Sequence, residues 1–418
     1  MTISRRVFLK GGGVAMLGFS AMPSFLMRAA QNTAMPNQKK LLVLFQRGAM
    51  DGLNAVVPYG ERNYYSMRPS IAIPAPSRGG QTSAIDLDGF FGLHPSLQPL
   101  ETLFHNRQLA VVHAAGSPDN TRSHFDAQDF MESGTPGVRS TEDGWLNRYL
   151  QKQPEENATP FRAVAMGQQL PRTLKGLAPA LSIPDIHQFQ VMAPGQLSGS
   201  AQGGFEALYS QTVDHALRGT GQETFEALDM LKKVREQKYE PANGAEYPKG
   251  KLGQSLQQIA QMVKGNIGLE VAFLDVGGWD HHVNEGGVQG QLSNLLRELG
   301  ESLAAFHRDM GDQMKDLVVV TMSEFGRTAR ENGNRGTDHG HANCMFVIGG
   351  PVQGGKVYGR WPGLGASQLY EGRDLAVTTD FRAVLGEIIH RHLGNSDIKY
   401  VFPGFAYDPK KSLGLLRA

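Results

Sequence analysis

The sequence predicts an α/β protein built on a doubly wound, mostly parallel sheet. Three observations point there. Short continuous apolar runs such as Leu41 to Phe45 have the pattern of strands buried on both faces. Amphipathic helical segments alternate with them, the order expected of βαβ units. Titratable residues gather directly after the apolar runs, where open α/β sheets place their ligand crevice.

The elements follow in chain order. "KLLVLF" opens the domain as a buried strand and ends in a Gly-rich turn carrying Asp51. "HPSLQPLETLFHNR" predicts a helix, with Leu97, Leu100, Leu103 and Phe104 at helical spacing. "QLAVVHAAG" is a second buried strand. From about 200 to 265 the pattern is helical, broken by the Pro/Gly loop "EPANGAEYPKG", and reads as a helical insertion or cap serving as scaffold. The alternation then returns. "LEVAFLDVGG" is a strand, and "QLSNLLRELGESLAAFHRDM" is an amphipathic helix. "DLVVVTMSEFG" and "NCMFVIGG" are strands. "TTDFRAVLGEIIHRHLG" is a closing helix, capped by Thr379 or Asp380 and stopped by Gly394. One α/β domain spanning 40–418 accommodates all of these.

Composition narrows the class. The chain has 418 residues, with 40% hydrophobic and 19% charged, which suits a packed protein and argues against global disorder. A formal net charge of +1 gives no electrostatic case for nucleic acid. The single cysteine, Cys344, excludes an intramolecular disulfide.

The N-terminus carries an address. "SRRVFLK" puts a paired arginine before an apolar run from Val14 to Met27, followed by "RAAQ", the layout of a signal peptide over residues 1–30. Gly18 and Pro23 break the run, which is too short to span ~30 Å of bilayer, so no stable membrane span is expected. The string resembles the twin-arginine consensus. That resemblance implies export through the twin-arginine translocase to the periplasm or the extracellular space. Cleavage after Ala30 removes Arg5, Arg6, Lys10 and Arg28 and no acidic residue, leaving a mildly acidic chain.

Five segments at strand ends carry the candidate chemistry. They hold Asp51; Ser117, Arg122, Ser123, His124 and Asp126; Asp275, Asp280, His281 and His282; Glu324 and Arg327; and, in "GTDHGHAN", Asp338, His339 and His341. Carboxylates neutralise a divalent ion, and neutral imidazoles bind borderline metals. The set is large enough for one or two ions, with zinc, manganese, iron and calcium all open. Each residue also has an ordinary reading. His281 and His282 are adjacent and point opposite ways in extended backbone, so one at most faces the metal. Asp280 can bond its own loop, and Asp51 can belong to an Asp-Gly turn. Glu324 can pair with Arg327. Ser123 sits at a helix start beside Arg122, a setting for a nucleophile or for a plain N-cap. Ser117 and Thr121 compete with it.

The stretches "LFQRGAMDGLN", "RSHFDAQDFMESG", "DVGGWDHH", "VVVTMSEFGRT" and "GTDHGHAN" together resemble a bacterial family of twin-arginine-exported proteins of unknown function. That family is grouped with the alkaline phosphatase, sulfatase and cofactor-independent phosphoglycerate mutase superfamily. The resemblance implies an alkaline phosphatase-like fold. It implies metal ligands at Asp51, Asp275, His281, Glu324 and one of His339 or His341, with Ser123 where the superfamily places its nucleophile. Phe325 departs from the pattern, since the mutases carry a His at that step. Hydrolysis of a small anionic phosphate or sulfate ester is the implied activity, with Ser123 or a metal-bound water attacking and Arg122 or Arg327 steadying the anion. The competing expectation is a non-catalytic periplasmic binding or assembly protein on a degenerate scaffold of the same kind.

Overall fold

The computed structural model describes residues 39–77, 82–153, 158–187, 230–232, 234 and 238–417. The twin-arginine segment and most of the expected helical insertion lie outside the described residues.

Among the described residues the central sheet has nine strands. They are β1 (Lys40–Gln46), β2 (Leu109–Gly116), β3 (Ala163–Met166), β4 (Leu181–Ser182), β5 (Val271–Val276), β6 (Leu317–Met322), β7 (Asn343–Gly349), β8 (Lys356–Tyr358) and β9 (Thr379–Asp380). Their spatial order is β8-β2-β7-β6-β1-β5-β3-β4, with β9 beside β2. β1 lies between β5 and β6, parallel to both. β7 runs antiparallel to each of its neighbours, β6 and β2. The other pairings in this sheet are parallel. The architecture is therefore the mixed α/β fold with a mostly parallel sheet that the apolar runs predict.

Helices cover both faces. Alternate residues of a strand point to opposite sides of a sheet. Leu42 and Leu44 enter a core with Leu256, Ile259, Leu296 and Leu299. Leu41, Val43 and Phe45 enter a second core with Trp145, Leu146, Phe381 and Val384. The first core is supplied by α3 (Lys251–Lys264) and α4 (Gln291–Met310). The second is supplied by α2 (Trp145–Lys152) and α5 (Phe381–Glu387). A strand with apolar residues at every position is the requirement for this arrangement, and each such side chain contributes roughly 2 kcal/mol on burial.

Three elements differ in detail from the sequence reading. The segment after His94 starts as a 3₁₀ helix over Pro95–Leu100, with Pro99 inside it, and becomes α-helical only at Glu101–His105. Of the two caps the sequence offers the closing helix, Asp380 is the one used: it accepts from Arg382 N and also ends β9. It passes into a π turn at Ile388–His392 before Gly394 takes a φ of 72°. The strands β3, β4 and β8 are too short to stand out as apolar runs.

The topology positions the site. The parallel strands β1, β2, β5 and β6 all end at one edge, and the antiparallel β7 begins there. "GTDHGHAN" therefore enters the sheet where the other four candidate segments leave it. It pairs with the segment that follows β6: Gly326 N donates to His341 O, Thr328 N to Asp338 O, and Gly340 N to Gly326 O.

Candidate metal centre

Arg327 gathers the loops at this edge. Its side chain is buried and donates to the carbonyls of Gly48, Ala49, Trp279 and Thr337 at 2.6–3.1 Å. The Nη2 that meets the Gly48 and Trp279 carbonyls is also shared with Asp280 Oδ1, at 2.7 Å. A rigid guanidinium fork suits this binding of several oxygens at once. The glycines of the last loop serve close approach. A Cβ on Gly336 would lie 2.4 Å from His282 C, and one on Gly340 would lie 2.3 Å from Arg327 C.

Asp280 lies at the centre of the cluster so formed. One donor atom each from His124, Asp280 and His339 lies within 4.8 Å of the others. His339 Nε2 is 3.1 Å from Asp280 Oδ1, and His124 Nε2 is 3.5 Å from Asp280 Oδ2. His282 Nε2 is 3.0 Å from Asp280 Oδ1 and 3.0 Å from His339 Nε2. The Phe325 ring lies 5.0 Å from both His124 and His339, stacked on the first and tilted on the second.

The far side of each imidazole faces an oxygen acceptor. His124 Nδ1 meets Glu324 Oε1 at 2.8 Å. His339 Nδ1 meets the Arg122 carbonyl at 2.9 Å. His282 Nδ1 meets Asp338 Oδ1 at 3.1 Å. Carbonyls and carboxylates accept only, so the network assigns the proton of each neutral ring to Nδ1. Each Nε2 lone pair is then left facing Asp280. His124 Nε2 is buried without a hydrogen-bond partner among the described residues. Fixing one imidazole nitrogen so that the other can ligate is the usual outer arrangement of metal-binding histidines.

Electrostatics sharpen the cluster. Burial opposes ionisation of Asp280, but Arg327 and the neighbouring imidazoles pull its pKa down to about 2. Burial likewise opposes ionisation of Glu324, yet His124, Gln128 and Gly48 N hold its carboxyl below the usual range. The hydrogen bond to Glu324 raises His124. Burial lowers His339 and keeps it neutral near pH 7.

Other sequence candidates lie outside this cluster. Asp51 is buried under Arg68, which contacts both its carboxylate oxygens, and caps the turn at Gly52–Ala55 through Leu53 N. Asp275 pairs with Arg47 at 2.7 Å. His281 is buried, and burial lowers its pKa. His341 donates from Nε2 to the Ser117 carbonyl and packs on Tyr370. Glu324 and Asp338 orient His124 and His282 from behind. Arg122 is engaged by Glu371 and Asp374. Arg327 reaches the cluster through Asp280. Ser123 is the N-cap of α1 (His124–Ser133), with no cap hydrogen bond from its side chain. His124 follows it directly. The sequence names His124 among the strand-end residues without giving it a role, and it allows Asp280 a loop role. The signal for both is position: each stands in a strand-end segment beside a named candidate, Ser123 and His281.

The chain is thus a mixed α/β protein with an imidazole–carboxylate cluster at the carboxyl edge of its sheet. It belongs to the DUF1501 family, described as a protein of unknown function, whose model matches residues 38–400. No curated protein matches it. Among solved structures it is similar to the C-terminal periplasmic domain of EcEptC from Escherichia coli in complex with Zn, at 10% identity and a TM-score of 0.34, covering 75% of this chain and 73% of that one. It is similar to the PsFucS1 sulfatase from Pseudoalteromonas sp., at 12% identity and a TM-score of 0.34, covering 85% and 71%. It is also similar to a protein in the alkaline phosphatase superfamily from Vibrio parahaemolyticus, at 11% identity and a TM-score of 0.32, covering 78% and 66%. Among the described residues, no helix is long and apolar enough to cross a membrane.

Proposed function

We propose that this chain is an exported metal-dependent hydrolase of phosphate or sulfate esters, with one divalent ion held by His124, Asp280, His282 and His339. One contact carries the proposal. His282 Nε2 and His339 Nε2 lie 3.0 Å apart while both Nδ1 atoms face acceptors. Two lone pairs at that distance repel unless a proton or a cation lies between them. Asp280, held ionised beside them, supplies the negative charge that favours the cation.

The donor set fits a borderline ion. Three imidazole nitrogens and one carboxylate suit zinc or a similar transition metal better than calcium, which prefers six or more oxygens. Bound there, such an ion would supply Lewis-acid polarisation of an ester oxygen. The protein's own residues have distinct tasks. Glu324, Asp338 and the Arg122 carbonyl hold the rings in one tautomer. Arg327 keeps Asp280 charged and in place. Ser123, next to His124 in sequence and with its hydroxyl free of capping, would act as nucleophile at the start of α1, where the helix dipole favours an anion.

Metal content decides the first half. The purified protein should hold one equivalent of ion, and His282→Ala and His339→Ala should each lose it. Metal retained in both variants would sink the site. A panel of aryl phosphates and aryl sulfates tests turnover, and Ser123→Ala tests the nucleophile.

A non-catalytic binding protein is the second reading, and a specific observation favours it. The two arginines expected to steady an anion are already engaged, Arg122 by Glu371 and Asp374, and Arg327 by its carbonyls and Asp280. Metal binding without turnover of any ester would select this reading.

A further inference from the structure

His282 is the least enclosed of the three imidazoles in the cluster. Its side chain is 40% exposed, against 24% for His124 and 22% for His339. The other two rings meet fixed acceptors. His124 meets the buried Glu324 carboxylate, which Gly48 N and Gln128 Nε2 also hold. His339 meets a backbone carbonyl, that of Arg122. His282 Nδ1 meets Asp338 Oδ1, whose side chain is 52% exposed. A contact between two exposed side chains contributes little and leaves both free to turn.

Asn332 supplies what that contact lacks. Its Nδ2 donates to Asp338 Oδ1 at 3.0 Å and to the His282 carbonyl at 2.9 Å. Its Oδ1 accepts from Asn334 N at 2.9 Å and from Gly336 N at 3.1 Å. Backbone N–H groups only donate, so these two contacts fix which end of the amide is the oxygen. The backbone N of Asn332 donates to Gly336 O, which closes the turn. The two ends of the side chain therefore have separate tasks. Oδ1 shapes the loop that leads into "GTDHGHAN", and Nδ2 fastens that loop to His282.

We propose that Asn332 is a positioning residue of the metal centre: it holds Asp338 against His282 and so keeps His282 Nε2 in the ligand set. The inference rests on the centre proposed above but not on turnover there. Outer partners of ligating histidines set metal affinity through ring orientation, and Asn332 stands one contact further out, behind Asp338.

Zinc affinity of the purified protein, measured by competition against a chromophoric chelator, tests it. Asn332→Asp keeps the oxygen that closes the loop, loses the donor and sets a second carboxylate against Asp338. Its zinc affinity should fall about tenfold, as should that of Asp338→Ala. The double variant should also stand about tenfold below the wild type, since residues that act through one contact are not additive. Asn332→Ser, uncharged and too short to reach Asp338, should repeat the loss. Cobalt(II) added to saturation reports the ligand set through its visible spectrum, and Asn332→Asp should match His282→Ala. Wild-type affinity in both Asn332 variants, or a wild-type cobalt spectrum, overturns the role of Asn332 and leaves the centre standing. A loss of about a hundredfold in the double variant means that Asn332 acts apart from Asp338, and overturns it too. Failure of zinc to bind the wild type overturns the centre and this inference together.

Discussion

Glu324 Oε1 lies 2.8 Å from His124 Nδ1, and this contact turns His124 Nε2 toward Asp280. The same oxygen accepts from Gly48 N and Gln128 Nε2, each at 2.8 Å, so it has little freedom to move. Its charge fixes the ring's tautomer. Glu324→Gln keeps the shape and removes the charge, and its amide can donate where the carboxylate could only accept. Metal affinity should fall about 10–100-fold, as for other outer partners of ligating histidines. Competition against a chromophoric chelator measures this. An unchanged affinity would reduce Glu324 to a packing role.

Asp51 and Asp280 are both strand-end acids, yet the structure separates their roles. Asp51 is 2% exposed and its partner Arg68 is fully buried. Removing the carboxylate leaves an uncompensated buried guanidinium, which costs about 3–5 kcal/mol. Asp51→Ala should therefore lower stability sharply, as read by denaturant unfolding. Asp280→Asn, at a half-exposed position, should leave stability within about 1 kcal/mol and abolish metal binding. Loss of metal in Asp51→Ala under conditions where it remains folded would return Asp51 to the ligand set.

How much of this was legible follows from what each residue needs. The buried strands declare themselves because apolar residues at every position leave few alternatives, and β1 and β6 pair as such runs should. The convergence of five segments also follows from topology, since strand ends meet at one edge. The choice of ligands within those segments does not follow. Asp51 is captured by Arg68, 17 positions later, and Asp275 by Arg47 across the sheet. No local pattern announces either pairing. His124 stands among several polar residues of its segment with nothing local to single it out, and Asp280 is masked by the turn habits of aspartate.

Arg327 supplies a third expectation. It binds backbone carbonyls from three other loops, so its loss leaves several buried acceptors unpaired, each costing about 1–3 kcal/mol. Arg327→Lys keeps the charge and cannot span the same acceptors. It should destabilise the protein by about 2–4 kcal/mol and weaken metal binding through displacement of Asp280. Thermal unfolding with and without zinc separates the two effects. Wild-type stability in Arg327→Lys would mean that these contacts add nothing net.

Buried neutral histidines give the protein an acid limit that is independent of the metal centre. His94 and His113 are shielded from solvent, and burial pushes both down to about 4. In His113, Nε2 faces the Val56 carbonyl and Nδ1 accepts from Ala114 N, so a second proton has no acceptor to meet. His94 is arranged in the same way, between Gly287 O and Ser96 N. Their ordinary value is 6.5. Below that pH the unfolded chain takes up protons that the folded chain refuses. The stability these neutral rings confer is therefore complete above about pH 6.5, erodes as pH falls, and is gone below about 4. Each should steepen the dependence by up to roughly 1.4 kcal/mol per pH unit within that window. Denaturant unfolding at several pH values, in excess chelator, measures the slope. His113→Asn should lower the slope by about one histidine's share even if its overall stability is reduced. A slope unchanged in that variant would show that His113 titrates alike in both states.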